Sequence, residues 1–278
     1  MDLTGATGDL LFKLLFSKER SKRMLIHLLN SIVDADGRDP IKNIEVRKTE
    51  LTPEYLGGKE ARLDILAETS NGLLVEIEMQ KNDDPDMAYR SMFYWSELFF
   101  QQLSKGGQYK DLKKTICINI LGEFNLFKDD EFWHTFHMRN DKTFEILSDK
   151  EEIHFLEIQK VREFRKDSPI TWWLEYLKNP HSESIQEIGE LEPIMKEAVE
   201  MFDMVTSDPQ TQEFLRMREK GLRDFNSAIG HAEERGIAIG EERGKRETAL
   251  KLLSKGMPIG EIADVTGLAE SEIQKLMH

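Results

Sequence analysis

The sequence predicts an α/β fold with a mixed central sheet flanked by helices, followed by an all-helical C-terminal extension. Apolar runs of strand length, either alternating or continuous, occur only between residues 43 and 158. Helical patterns precede and separate these runs, and only helical patterns follow Ser168. We therefore expect a core over 1–167, a helical extension over 168–228, and a glycine-repeat helix with a helix-turn-helix-like tail over 229–278.

Composition indicates a folded and strongly acidic chain. Of its 278 residues, 39% are hydrophobic, which is enough for a substantial core. The net charge of −14 argues against a protein that coats nucleic acid through bulk electrostatics. It does not exclude an enzyme with a local basic rim, for which Lys13 is one candidate, although a solvated helix face is the favoured interpretation of each basic cluster taken alone.

The sequence contains no evident membrane or targeting segment. No apolar run reaches the length of a transmembrane helix, and the first residues lack the pattern of a signal peptide. We therefore expect a cytoplasmic protein without membrane contact. The lone Cys117 excludes an internal disulfide, and its apolar surroundings favour a packed strand residue over a nucleophile.

Before the central hairpin, the pattern predicts two helices and a strand. Gly8-Asp9 marks the entry to the first helix, so Asp9 either caps that helix or lies near a metal site. Helical spacing predicts a second helix over 21–33, and a strand is expected over 43–51.

The most informative pattern is a hairpin formed by residues 61–69 and 73–80. Period-two alternation along the second run buries one set of apolar side chains and aligns Glu76, Glu78 and Gln80 on the other face. Neighbouring carboxylates repel one another unless a cation neutralises them. The pattern therefore indicates a metal site, and an acidic solvent-exposed face is the alternative.

The length of the turn decides whether Asp64 joins these acids. A two-residue turn would place Asp64 on the wrong face, opposite Met79. A three-residue loop with a left-handed Gly72 pairs Thr69 with Leu73 and sets Asp64 opposite Glu78. A metal site requires this second register.

In that register, each residue has a chemical role. Asp64, Glu78 and the Met79 carbonyl would hold Mg²⁺, for which Mn²⁺ or Ca²⁺ can substitute in binding. Gln80 would orient the attacking water or the scissile phosphate, and Glu76 would support the site or act as an alternative ligand.

A helix and further strands follow the hairpin. Asp84-Pro85 predicts the start of a helix over 84–104, whose polar residues are candidates for substrate contact, in particular Arg90, Tyr94 and Gln102. A continuous apolar run over 115–121 predicts a buried central strand. Two more strands are expected over 143–147 and 153–158, whereas His134 and His137 lack an evident third ligand for a metal.

The C-terminal region repeats glycine every four residues from Gly236 to Gly244 within a charged segment. Glycine costs about 1 kcal/mol in a helix relative to alanine. Either a small-residue stripe for helix–helix contact or a flexible linker explains the repeat. The last residues predict a helix-turn-helix, with Ala263 at the crossing, Gly267 in the turn and Ile273 in its core. Protein contact is favoured over DNA anchoring because acidic residues begin the second helix.

Taken together, the chain resembles the PD-(D/E)XK nuclease family transposases, also called recombination-promoting nucleases. The segments that carry the resemblance are Asp9-x-x-Phe12-Lys13-x-x-Phe16, residues 62–66, residues 76–80, and the stretch from Arg90 to Tyr109, with the glycine repeat and the tail over 259–276.

The resemblance implies a restriction-endonuclease-like core and Mg²⁺-dependent DNA cleavage that promotes recombination. It assigns the catalytic acids to Asp64 and Glu78, and the lysine of the general motif to Gln80. Strand transfer is not implied, because no three-acid constellation is evident. We expect DNA as substrate and a homo-oligomer through the C-terminal helices. The alternatives are a catalytically degenerate fold that binds DNA or protein, and an interaction protein acting through its glycine repeat and tail.

Overall fold

The computed structural model describes residues 8–33, 40–47, 65–70, 72–103 and 106–277. Its strands are β1 (Ile44–Arg47), β2 (Ile65–Thr69), β3 (Leu74–Gln80), β4 (Thr115–Leu121), β5 (Trp133–Phe136) and β6 (Glu151–Glu157). Its α-helices are α1 (Asp9–Phe16), α2 (Lys22–Val33), α3 (Met87–Gln101), α4 (Pro169–Lys178), α5 (Glu183–Leu191), α6 (Pro193–Ser207), α7 (Pro209–Ser254), α8 (Ile259–Thr266) and α9 (Glu270–Lys275).

The six described strands form one mixed sheet in the order β1-β2-β3-β4-β6-β5. β1, β2 and β3 pair antiparallel, β3, β4 and β6 run parallel, and β5 is antiparallel to β6. The predicted α/β class with helices on both sides of a mixed sheet is confirmed. Every residue of β4 is buried, as its apolar run predicted.

One face of the sheet carries the main hydrophobic core. Val75, Ile77 and Met79 of β3 pack there together with apolar side chains of α1, α2, α4 and α6. Trp173 of α4 is fully buried and donates from Nε1 to Nδ1 of His27, at 2.9 Å. Helix α4 is thus part of the sheet's own core.

The compact units of the structure extend beyond the sheet and its nearest helices. The structure separates into one compact unit that ends at Glu213 and a second that begins at Phe214. The sequence predicted boundaries after residues 167 and 228, where strand patterns give way to helical ones. The aromatic residues of α4 pack in the core that covers the sheet.

The other face of the sheet is covered by α3. Leu98 of α3 packs with Leu66, Cys117 and Phe155 in a second apolar cluster. The Trp95 indole donates to the carbonyl of Thr115, at 3.1 Å. The side chains on this face of β3 are therefore enclosed between strand and helix.

Two strand predictions differ from the structure. Residues 143–147 do not form a strand: Phe144 has a left-handed φ of 58°, and Asn140 accepts from the amides of Lys142 and Thr143 to make a turn. The edge strand β5 was not predicted. Trp133 and Thr135 fix it by donating to His154 Nδ1 on β6, at 3.0 and 3.1 Å.

In the second unit, α7 continues as an α-helix through the glycine repeat, so the repeat is not a flexible linker. A Cβ added at Gly236, Gly240 or Gly244 would meet no described atom within 4 Å. The predicted helix-turn-helix is present: Gly267 ends α8 with φ +69°, and Ile273 of α9 is buried. Within the described ranges, no helix is long and apolar enough to span a bilayer.

Candidate active site

The acids of β3 are buried. Glu76 and Glu78 are 0% and 5% exposed, and they lie on the face of the sheet against which α3 packs. This burial is inconsistent with the alternative of an acidic solvent-exposed hairpin face. Burying carboxylates is costly unless they are paired, hydrogen-bonded or bound to a metal, so a polar cluster at this position requires an explanation beyond packing.

The hairpin adopts the three-residue register in its described part. Ile65 pairs with Ile77, the amide of Thr69 donates to the carbonyl of Leu73 at 3.0 Å, and Gly72 has a φ of +85°. Both the register and the left-handed glycine were predicted. Asp64, which this register was expected to set opposite Glu78, lies outside the described residues.

Arg90 of α3 is the partner of Glu78. Its Nη2 lies 2.6 Å from Glu78 Oε1, and its Nη1 pairs with the carboxylate of Asp84. Tyr94, one turn further along α3, places its hydroxyl 3.5 Å from Nη2 and its ring under the guanidinium, at 5.6 Å. The structure thus brings together Glu78, Arg90 and Tyr94, which the sequence proposed as site residues.

The environment shifts two pKa values in this cluster. Burial would lower the pKa of Arg90, but the hydrogen bond to Asp84 and the charge of Glu78 raise it above its ordinary value. Burial raises the pKa of Tyr94. At neutral pH the cluster therefore contains a fixed cation and a neutral phenol, which donates rather than ionises.

Asp84 has a different position from the one predicted. It was expected to cap α3, but the described helix begins at Met87, and Asp84 Oδ1 accepts from the amide of Asp86 in the preceding turn. Its other oxygen pairs with Arg90. Asp84 therefore holds the guanidinium against β3.

Along β3, the main-chain N–H and C=O groups of successive residues point alternately towards β4 and β2. Leu74 donates to Lys114 of the β4 side and Gln80 accepts from Gly122, at 3.1 and 2.8 Å. By alternation, the carbonyl of Met79 is directed to the β2 side. The Gln80 side chain donates to the carbonyl of Asn82, at 3.1 Å, just after the last residue of β3.

Two of the predicted site residues, Gln102 and Lys13, lie away from Glu78, and Asp9 stays a prediction. Gln102 is near the opposite end of the strand: its amide bonds Thr115 Oγ1 at 2.7 Å and the main chain of Lys113. Lys13 belongs to α1, which packs on the other face of the sheet. Asp9 is the first residue of α1, where Gly8 is the N-cap, and its side chain lies outside the described residues.

The structure also adds polar residues that were not predicted for this site. On β4, Asn119 pairs in register with Glu78 and is 1% exposed. Its Nδ2 donates to Ser91 Oγ of α3 at 2.8 Å and to the carbonyl of His154 at 2.9 Å. An amide side chain in the middle of the apolar run 115–121 was the feature of the sequence that could have identified it.

The donor set fits a hard divalent cation. Glu78 and the Met79 carbonyl offer oxygen ligands, which Mg²⁺ prefers, and Glu76 adds a second buried carboxylate. The residues described do not contain a group of three His, Cys, Asp or Glu side chains that could hold a metal. The proposed third oxygen ligand, Asp64, is outside them. His134 and His137 are occupied separately, by Asp129 and by the carbonyl of Glu151.

Comparison with known proteins identifies the family. The family model described as PD-(D/E)XK nuclease family transposase matches residues 6–232, a range that includes the sheet, α3 and the acids of β3. No curated protein and no solved structure matches the chain. On the strength of the family model, the chain belongs to the PD-(D/E)XK nuclease family transposases.

Proposed function

We propose that the protein is a Mg²⁺-dependent DNA endonuclease of the cytoplasm, whose breaks promote DNA recombination. Family membership supports a nuclease-like function. The observation that carries the proposal is the buried Glu78 on β3, held by Arg90 of α3 at 2.6 Å. Asp64, Glu78 and the Met79 carbonyl would hold the cation, with Mn²⁺ or Ca²⁺ able to replace it in binding.

The side chains of the site would divide the work. A bound Mg²⁺ would supply Lewis-acid stabilisation of the phosphate and a water of lowered pKa. Gln80 offers an amide N–H to the attacking water or to the phosphate, and it contributes no charge. Tyr94 offers a neutral hydroxyl donor. The carboxylates are buried, and charge–charge interactions are stronger in such a site than in bulk water.

Arg90 would pair with Glu78 in the absence of a cation and with a DNA phosphate once a cation is bound. In the structure described, it is the counter-ion of Glu78 and Asp84. When a cation is held by Glu78, the guanidinium would remain anchored by Asp84 and turn one N–H pair towards a DNA phosphate. Arginine suits this task because its planar fork matches phosphate geometry.

A plasmid-nicking assay tests the proposal. Supercoiled DNA is incubated with Mg²⁺ and the wild type, Asp64→Asn or Glu78→Gln. Both variants should lose at least about 100-fold in rate, because each removes a proposed charged ligand. Glu97→Gln is the matched control, since Glu97 also lies on α3 but accepts a hydrogen bond from Gln101, one turn further along the helix, at 2.7 Å. Unchanged nicking by both variants would refute the proposed site.

A second function is a catalytically degenerate fold that binds DNA or protein. It is favoured by Gln80, which stands where the general motif has lysine, and by the Arg90 guanidinium already placed on Glu78. DNA retention in an electrophoretic shift assay, without cleavage in Mg²⁺ or Mn²⁺, would support this function over the nuclease.

We further propose that the protein forms a homo-oligomer through its C-terminal helices. Apolar side chains are exposed along α7, including Phe225, Ile229 and Ile239. The open space around Gly236 and Gly240 allows a second helix to approach closely. Gly240→Leu should therefore reduce the mass measured by light scattering, whereas Glu241→Gln, next to it, should not. An unchanged mass would contradict the proposed contact.

A further inference from the structure

The side-chain oxygen of Asn119, Oδ1, is a buried acceptor with no hydrogen-bond donor among the described residues. Asn119 is 1% exposed, and its Oδ1 accepts no hydrogen bond from any residue that the structure describes. Buried amide oxygens are nearly always satisfied by protein, water or an ion. This acceptor lies on the strand next to Glu78, the candidate metal ligand. Its position indicates that a water or an ion binds there.

The hydrogen bonds of the amide nitrogen, Nδ2, fix the orientation of the Asn119 side chain. Nδ2 donates to the carbonyl of His154 on β6 and to Ser91 Oγ on α3. A main-chain carbonyl cannot donate, so nitrogen, not oxygen, faces β6. Oδ1 is consequently on the arm directed away from β6, towards β3.

On β3 the residue in register with Asn119 is Glu78. Neighbouring strands are about 4.8 Å apart, and both side chains leave the same face of the sheet. A cation held by Glu78, or a water bound to that cation, therefore lies within reach of Oδ1.

We infer that Asn119 is a positioning residue of the metal centre, whose Oδ1 accepts a hydrogen bond from a water of a hydrated divalent cation at Glu78 or binds the cation directly. This inference rests on the metal centre proposed above. It adds a ligand-orienting residue from β4 to the proposed ligand Glu78 on β3. Ser91 and the carbonyl of His154 would keep the amide from rotating.

Isothermal titration of the full-length chain with Mn²⁺ alone tests this role. Asn119→Leu, which preserves the volume and removes the acceptor, should weaken Mn²⁺ binding about tenfold, a typical effect of losing an outer partner of a metal ligand. Asn119→Asp keeps an oxygen acceptor, adds a negative charge, and should bind Mn²⁺ at least as tightly as the wild type. Ser91→Ala removes only the partner of Nδ2 and should change the affinity less than Asn119→Leu does.

The outcomes separate this inference from the proposed function. Mn²⁺ binding that is lost in Glu78→Gln but unchanged in Asn119→Leu would overturn the role of Asn119 alone. A wild type that binds no Mn²⁺ would overturn both. Thermal melting of each variant identifies any loss of folding. If Asn119→Leu does not fold, Asn119→Asp decides instead, and weaker binding by this variant would overturn the inference.

Discussion

At the scale of single residues, the ion pair between Arg90 and Glu78 determines the state of the site. A buried carboxylate needs a positive partner, and Arg90 provides one in the structure described, with Asp84 as its second anchor. The same carboxylate is the proposed metal ligand. Arginine and metal ion should therefore compete for Glu78, and removing Arg90 should affect metal binding and cleavage in opposite directions.

We expect Arg90→Gln to bind Mn²⁺ several-fold more tightly than the wild type in the absence of DNA. Its melting temperature without metal should fall, since breaking a buried pair by removing one partner costs roughly 3–5 kcal/mol. Added Mn²⁺ should restore more stability than it does in the wild type. Titration calorimetry and thermal melting measure both effects.

The control for this experiment is Lys81→Gln, which also removes one positive charge. Lys81 is half exposed and pairs with Glu123, at 3.2 Å. Its loss should leave the affinity for Mn²⁺ nearly unchanged. Equal or weaker binding of Mn²⁺ by Arg90→Gln would show that Arg90 does not compete with the cation.

A second residue-scale prediction concerns pH. Burial would raise the pKa of Glu152, but hydrogen bonds from His154 and Lys114 lower it from 4.5 to about 2. A carboxylate with a lowered folded-state pKa stabilises the protein above pH 4.5, and that contribution is lost as the pH falls towards about 2.

Glu152→Gln should therefore be less stable than the wild type by about 2–3 kcal/mol at pH 7. The difference should shrink as the pH is lowered from about 5 towards about 3. Urea unfolding at several pH values measures it. A difference that stays constant over this range would contradict the linkage.

At the scale of elements, α3 packs over β4 and β6 and brings Arg90 to Glu78 of β3. Arg90 and Tyr94 are four residues apart and so share the inward side of the helix. The far end of the helix is fixed by Gln102, whose amide bonds Lys113 and Thr115. This end lies roughly four residues, or about 13 Å, along the strand from Glu78. Gln102 thus orients α3 rather than touching the carboxylates.

Gln102→Ala should lower the free energy of unfolding by about 1–2 kcal/mol, because it removes hydrogen bonds that join helix and strand. The affinity for Mn²⁺ should stay within a factor of about two, since the proposed metal ligands lie at the other end. The adjacent Gln101→Ala is the control, because Gln101 donates to Glu97 within α3 itself, at 2.7 Å. A large loss of metal affinity in Gln102→Ala would place this residue in the site after all.

The elements that the sequence predicted correctly were those with a local cause. Gly72 permits the left-handed conformation of the loop, and the apolar run of β4 requires burial on both faces. β5 could not be predicted in this way, because its pairing depends on His154, which is distant in sequence. The expected strand over 143–147 became a turn because Asn140 bonds its neighbours.

The site was predictable only in part, because it too depends on contacts between residues that are distant in sequence. Alternation along β3 indicated Glu76 and Glu78, but their burial results from α3, which no periodicity within the strand could reveal. Asn119 was overlooked because it lies inside an apolar run. The partnership of Arg90 with Asp84 requires a turn before α3 that resembled a helix cap in the sequence.

At the scale of the whole molecule, the chain consists of two compact units that divide between Glu213 and Phe214. The second has its own small core, in which Ile273 packs with Ala249, Ile262 and Leu268. The first contains the sheet and the candidate site. We therefore expect damage to the core of the second unit to remain within that unit.

Ile273→Ala should destabilise the second unit by about 2–4 kcal/mol, because it leaves a cavity in a core of few residues. Hydrogen exchange should become faster over residues 259–276 and remain unchanged in β3, β4 and β6. Val265→Ala is the control, because Val265 is 66% exposed. Faster exchange in the three strands would show that the two units unfold together.

The central claim is that Glu78 and Asp64 share one divalent cation at the end of β3. Anomalous scattering from a crystal soaked in Mn²⁺ tests it most directly. We expect one strong peak about 2.0–2.2 Å from a carboxylate oxygen of each residue, with the Arg90 guanidinium moved off Glu78. A Mn²⁺ peak elsewhere in the protein, with the contact between Arg90 and Glu78 intact, would contradict it.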